Sequence, residues 1–127
     1  MNHSARQSEI AERLRDLLRG GRAMTEFPLV TLKGVKGVDV VWISSARLAE
    51  QPAGEDVART APEICVEVFS PRNRRGEIDE KLRLYFEKGA MECWTCGLDG
   101  KMSFFDAAGQ MVASKLCPGF PAEISGL

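Results

Sequence analysis

The spacing of apolar residues along the chain changes period several times, and each change marks an element. Over residues 4–19, Ile10, Ala11, Leu14, Leu17 and Leu18 recur on one face at helical spacing. Ser4 with Gln7 has the form of a capping box, and Gly20-Gly21 stops the helix. Residues 24–32 then read as a strand in which Pro28 requires a sheet edge or a bulge. The segment LKGVKG is a turn, and residues 38–43 (VDVVWI) form a strong strand rich in β-branched and aromatic side chains. Residues 44–50 read as a short helical turn and residues 51–61 as a surface loop.

Residues 64–69 (ICVEVF) form a second strong strand, closed by Ser70-Pro71. Residues 77–88 return to helical spacing, with Ile78, Leu82, Tyr85 and Phe86 facing inward and Gly89 ending the helix. Residues 92–95 and 101–105 are strands around the turn GLDG, residues 110–114 add an edge strand, and the tail CPGFPAEISGL is irregular. The order is helix, three strands, helix, hairpin. Its economical architecture is α/β (α+β): a central mixed β-sheet flanked by helices.

Composition narrows this little. The chain has 127 residues, 44% of them apolar and 28% charged, which predicts one globular domain over residues 1–127. The formal net charge of -1 means that any nucleic-acid partner must be attracted by a local basic patch. The first residues are polar, with no signal-like apolar core, and no apolar run approaches spanning length. A cytoplasmic protein without a membrane partner is therefore expected, with its four cysteines as thiols.

Two acids stand out against the apolar pattern. Asp39 lies between Val38 and Val40, and Glu67 between Val66 and Val68. A buried carboxylate is costly unless it is paired or bound to a cation. Alternation puts Glu67 on the face of Cys65 and Phe69, opposite Ile64, Val66 and Val68. Two readings are open: both acids bind one hard divalent cation such as Mg²⁺, or each pairs with a basic side chain near a strand end.

Lys81 borders the buried stripe of its helix. It either lays its stem across the sheet toward a site at the strand edge or pairs with Glu77 on a solvated face. Arg72, Arg74 and Arg75 follow the strand of Glu67, as phosphate-binding charge or as ordinary solvated loop charge. Cys93 and Cys96 have CxxC spacing, but strand geometry sends them to opposite faces, and Cys65 and Cys117 provide no matching second pair for zinc. His3, the single histidine, lies beside the chain terminus, which disfavours a Cys–His nucleophile pair.

The string APEICVEVFSP followed by EIDEKLRLYFEKGAMECW is similar to a bacterial family of putative restriction endonucleases, formerly a domain of unknown function, within the PD-(D/E)XK nuclease superfamily. The resembling pattern is an Asp in a hydrophobic strand, then Glu-Val-x-Ser-Pro, then Glu77 and Lys81 on a helix, Tyr85, Gly89 and a strand with Trp94. It covers about residues 29–105, and more weakly the first helix and PGFP. The resemblance implies a restriction-endonuclease-like core and Mg²⁺ (or Mn²⁺) held by Asp39 and Glu67, with Val68 in the metal set. The superfamily's lysine two residues after the Glu is Phe69 here, and the family pattern moves its role to Lys81. The position before the Asp, Pro in the family, is Val38.

The implied activity is metal-assisted hydrolysis of DNA phosphodiesters. Nucleases of this class often pair subunits, so a homodimer is a further expectation, with Leu84, off the main apolar stripe, as its contact residue. The alternatives are a noncatalytic nucleic-acid-binding or assembly module that keeps the fold, and a thiol redox or zinc protein built on Cys93 and Cys96. A fold hosts unrelated functions, so the site has to decide among them.

Overall fold

The computed structural model describes residues 2–125, Arg75 by its backbone alone. Helix α1 (His3–Leu17) opens the chain, and β1 (Gly21–Thr31) and β2 (Gly34–Ser44) form a long antiparallel hairpin. A short helix α2 (Ser45–Glu50) is capped by Ser44, whose Oγ accepts the Arg47 N–H at 3.1 Å. Strand β3 (Ile64–Val68) leads through α3 (Arg75–Glu87) to β4 (Glu92–Cys96), and β5 (Met102–Asp106) and β6 (Gly109–Met111) complete the chain's regular structure. The six strands lie in sequence order in one sheet, and only β3 and β4 are parallel, as a strand–helix–strand crossover requires.

This mixed sheet has a core on each face. On one, Ile10, Ala11 and Leu14 of α1 pack against Ile64, Val66, Val68 and Trp94, closed by Cys117, Phe120 and Ile124 from the C-terminal segment. On the other, Ile78, Leu82 and Tyr85 of α3 pack with Phe27, Leu29, Val41, Cys65 and Cys93. A strand buried on both sides must be apolar throughout, which explains the nearly continuous apolar run of β3.

Several local expectations are corrected. The helix begins one residue earlier than Ser4, so Asn2 is the cap, accepting the Ala5 N–H at 2.7 Å. Gln7 then lies beyond the reach of a capping box, and its amide donates to Glu26 Oε1 at 3.1 Å. The turn expected over LKGVKG shrinks to Leu32-Lys33, because Gly34 takes a φ of 93° and returns Val35 to pair with Val30. Strand β3 ends at Val68, leaving Phe69 just outside it, and β6 has three residues. Pro28 does lie on an edge strand, where its carbonyl accepts the Ala58 N–H at 2.8 Å. Leu84 is only 2% exposed within one chain, so it offers no surface to a second copy. No helix among the described residues is long and apolar enough to cross a membrane.

One irregularity shapes the site. The β1–β2 ladder is interrupted between Thr25↔Val40 and Phe27↔Val38, where Glu26 has a φ of 50°. Simple alternation would keep Val38 and Val40 on one face, yet they join opposite cores. The hairpin therefore switches faces at Glu26 and Asp39, in a backbone conformation that costs a non-glycine residue energy.

Candidate active site

Strands β2 and β3 pair through Trp42↔Ile64, Val41↔Cys65 and Val40↔Val66. One step further, side chains replace the ladder. The Asp39 N–H donates to Glu67 Oε2 at 3.2 Å, and the Val68 N–H donates to Asp39 Oδ2 at 2.8 Å. Main-chain donors released where the strands part are thus satisfied by two carboxylates, which brings both acids to the same gap.

Glu67 is 1% exposed on the α3 face, as alternation along β3 requires. The Tyr85 hydroxyl donates to its Oε2 at 2.9 Å, and Lys81 Nζ lies 3.3 Å from its Oε1. Lys81 and Tyr85 are four residues apart, so one face of α3 delivers both. Burial, reinforced by the charge of Asp39, pushes the Glu67 carboxyl up to about 7, against the pull of Lys81, the Asp39 N–H and Tyr85. Burial and the adjacent Glu67 carboxylate also raise the Tyr85 hydroxyl far above its ordinary range, keeping it a donor.

Asp39 is half-buried, and its carboxyl is likewise raised, chiefly by burial, while the Val68 N–H and His3 oppose the shift. His3 Nε2 lies 3.2 Å from Asp39 Oδ2, and Glu26 adds a further negative charge nearby. Sequence reading weighed His3 only as a partner for a cysteine, and it passed over Glu26. The contact of His3 with Asp39 spans 36 positions and arises only when α1 packs across the hairpin. Glu26 lies between Thr25 and Phe27, with one apolar flank where Asp39 and Glu67 have two; its further signal was Pro28, two residues on.

The remaining candidates divide. Lys81 pairs with Glu67, and no ion pair with Glu77 occurs among the described residues. The Val68 side chain belongs to the α1-face core, so only its main chain meets the acids. Arg72 and Arg74 are exposed on the loop after β3, which Asn73 closes by accepting the Ser70 N–H at 2.8 Å. Arg75 begins α3, and its side chain lies outside the described residues. Cys93 and Cys96 belong to opposite cores, and burial raises both thiols, Cys96 to about 11, away from reactive thiolates.

Among the described residues no three His, Cys, Asp or Glu side chains gather into a ready-made metal cage. The donors present nevertheless fit a small hard cation. Mg²⁺ keeps several waters and is usually bound through one or two carboxylates plus substrate phosphate. Asp39 and Glu67 are two carboxylates whose proton affinity is raised first by burial and then by neighbouring negative charge, so that their charged forms are left short of compensation.

A mixed sheet flanked by helices, with paired acids where its second and third strands part, defines a restriction-endonuclease-like fold. The chain belongs to the Uma2 family, described as "Putative restriction endonuclease", whose model matches residues 1–103. It is also similar to a crystal structure described as a putative nuclease belonging to DUF820 from Anabaena variabilis ATCC 29413. That likeness has a TM-score of 0.71 at 17% identity and covers 82% of this chain and 62% of the other, so it is a likeness of fold. The present chain thus spans less than two thirds of that protein's length. No curated protein matches the chain.

Proposed function

We propose that the chain, as one cytoplasmic domain over residues 1–127, is a metal-dependent endonuclease that hydrolyses phosphodiester bonds of DNA. The observation that carries this reading is the buried carboxylate of Glu67, joined to the strand of Asp39 and faced by the Lys81 amine at 3.3 Å. Family membership supports the reaction class.

Asp39 and Glu67 would hold Mg²⁺ or Mn²⁺ between them, with the main chain at Val68 alongside. When bound, such an ion supplies Lewis-acid polarisation of the phosphate and a more acidic water. The protein's own part is positioning and charge. The Val68 N–H orients Asp39, and Tyr85 and the Asp39 N–H fix one oxygen of Glu67. Lys81, in place of a lysine at Phe69, offsets negative charge that develops on the phosphate. Arg72, Arg74 and Arg75 supply phosphate contacts from the adjoining loop, which sets register rather than sequence preference.

The test is nicking of supercoiled plasmid with Mg²⁺ or Mn²⁺, beside a Glu67→Ala control. Cleavage by the parent and its loss in the variant support the reading; equal cleavage by both sinks it. Net charge -1 and the Phe69 position favour one second reading, a noncatalytic nucleic-acid-binding or assembly module. It predicts DNA retention without nicking under every metal tried.

A further inference from the structure

Arg6, in the first turn of α1, is a charged side chain with too few partners. It is 7% exposed, and its Nη1 donates to the Gly97 carbonyl at 2.9 Å. Among the described residues it forms no ion pair, and its Nε is the one buried side-chain nitrogen or oxygen without a hydrogen-bond partner. Nη2 has no such partner either and is not buried, so it keeps access to solvent. Two acids act with Arg6 on the neighbouring Cys96, but both have partners of their own: Glu9 pairs with Arg13 at 3.1 Å, and Asp99 accepts the Lys101 N–H at 3.0 Å. Taking a guanidinium out of water without a counter-charge is costly.

The position of the group ties it to the paired acids. Gly97 follows Cys96, whose carbonyl accepts the Phe69 N–H at 2.9 Å. Val68, the partner of Cys96 in the β3–β4 ladder, holds Asp39 through its N–H. His3, three residues before Arg6 and so its neighbour on the helix surface, reaches Asp39 itself. Arg6 thus stands at the ends of β3 and β4 on the α1 side of the acids, where Lys81 stands on the α3 side. The first turn of α1 contains no acidic residue, so the positive end of its dipole also remains for an anion from outside.

We infer that Arg6 binds a backbone phosphate of the DNA, next to the scissile one, through the edge formed by Nε and Nη2. The inference rests on the DNA-hydrolysing reading above and adds a contact to it. Nε and Nη2 stand side by side in the guanidinium plane, the fork that matches two phosphate oxygens. Nη1, held by Gly97, fixes the plane in advance, so little side-chain freedom is lost on binding. Because β4 lies about 4.8 Å beyond β3, the fork serves a neighbouring phosphate and leaves the scissile one to the acids and Lys81.

Fluorescence anisotropy of a labelled DNA duplex tests this on the intact chain, with Ca²⁺ as the divalent ion and salt varied from about 50 to 200 mM. Each phosphate neutralised by the protein adds about 0.9 to the slope of log affinity against log salt. Arg6→Gln should lower that slope by about one and weaken binding about ten-fold or more at low salt. Arg6→Lys keeps the stem and the charge but not the fork, so it should keep the parent's slope and bind about three-fold or more weakly. Circular dichroism establishes that each variant is folded. An unchanged slope in Arg6→Gln overturns the phosphate contact and leaves the nuclease reading standing. A slope lowered equally in Arg6→Lys does the same, since it marks a packing effect. Where the glutamine variant does not fold, Arg6→Lys decides alone: affinity equal to the parent's means that the fork is unused and overturns the contact. A parent that binds no duplex overturns both this contact and the nuclease reading.

Discussion

Asp39 and Glu67 are each tied to the main chain of the other's strand: Glu67 Oε2 accepts the Asp39 N–H at 3.2 Å, and Asp39 Oδ2 accepts the Val68 N–H at 2.8 Å. The exchange substitutes for ladder bonds, so the acids are structural members of the sheet as well as candidates for chemistry. It also concentrates negative charge in a poorly hydrated gap. The protein should therefore be less stable than it would be without those charges, and a cation should restore the difference.

This gives a pH dependence of defined sign. With chelator present, Glu67 has its carboxyl at about 7 in the fold against an ordinary value of 4.5. Between those values the native state keeps a proton that the unfolded chain has released. Stability is then full below about pH 4.5 and falls as pH rises toward 7, by on the order of 2–3 kcal/mol. The raised Asp39 carboxyl acts in the same direction. Urea denaturation at intervals from pH 4.5 to 8 should show this slope, and Glu67→Gln should flatten it. A parent that gains stability across that range contradicts the argument.

Divalent ions should act oppositely to pH. Saturating Mn²⁺ at pH 7.5 should raise the melting temperature of the parent by several degrees, as a ligand at about 100 times its dissociation constant adds roughly 2.7 kcal/mol. Asp39→Asn should lose most of that increment while folding normally. The same rise in both proteins, followed by differential scanning fluorimetry, would place the ion elsewhere.

Lys81→Ala should keep the fold at a cost of roughly 1–3 kcal/mol, because the lysine side chain is one-third exposed but the Glu67 carboxyl it faces is buried. Cleavage should nevertheless fall by about 10²-fold or more, since a positioned cation acts on charge that develops in the transition state. Combining it with Phe69→Lys should recover part of the lost rate, because Phe69 adjoins the α3-face core on the side of Glu67. Plasmid-nicking rates for the parent, the single variant and the pair decide this. A single variant as fast as the parent makes Lys81 a surface residue.

Glu92 holds a different part of the fold. It is buried, and it accepts from Trp94 Nε1 at 2.9 Å, Ser114 Oγ at 2.6 Å and the main-chain N–H groups of Lys115 and Leu116, both at 2.9 Å. Glu92→Ala leaves these donors without their acceptor and should cost about 3–5 kcal/mol. Hydrogen exchange should accelerate first at residues 115–117. Uniform acceleration across the whole sheet would instead mean that the segment does not open separately.

Much of the fold was legible because its signals are local. The apolar runs of β2 and β3, the stripe Ile78, Leu82, Tyr85 and the turn at Gly97–Gly100 depend on residues a few positions apart. Alternation along β3 also placed Glu67 on the face of Cys65 and Phe69, which α3 covers, and the border position of Lys81 left open the contact with Glu67 that it makes. Where the local signal was weak the reading slipped. The cap moved from Ser4 to Asn2, and the turn over LKGVKG contracted because one glycine could take a positive φ.

The sequence by itself determined which segments are strands and helices, that the sheet is mixed, and that Asp39 and Glu67 are anomalous acids in apolar strands. Tertiary structure alone decided what those acids face. The separation of β2 from β3 beyond Val40, the face switch at Glu26, and the arrival of His3 from 36 residues away all depend on how α1 and the hairpin pack. Leu84, which lies off the main apolar stripe of its helix, is also buried. Periodicity reports the face on which a side chain lies, whereas a pairing between distant residues is set by register and burial that no local window contains.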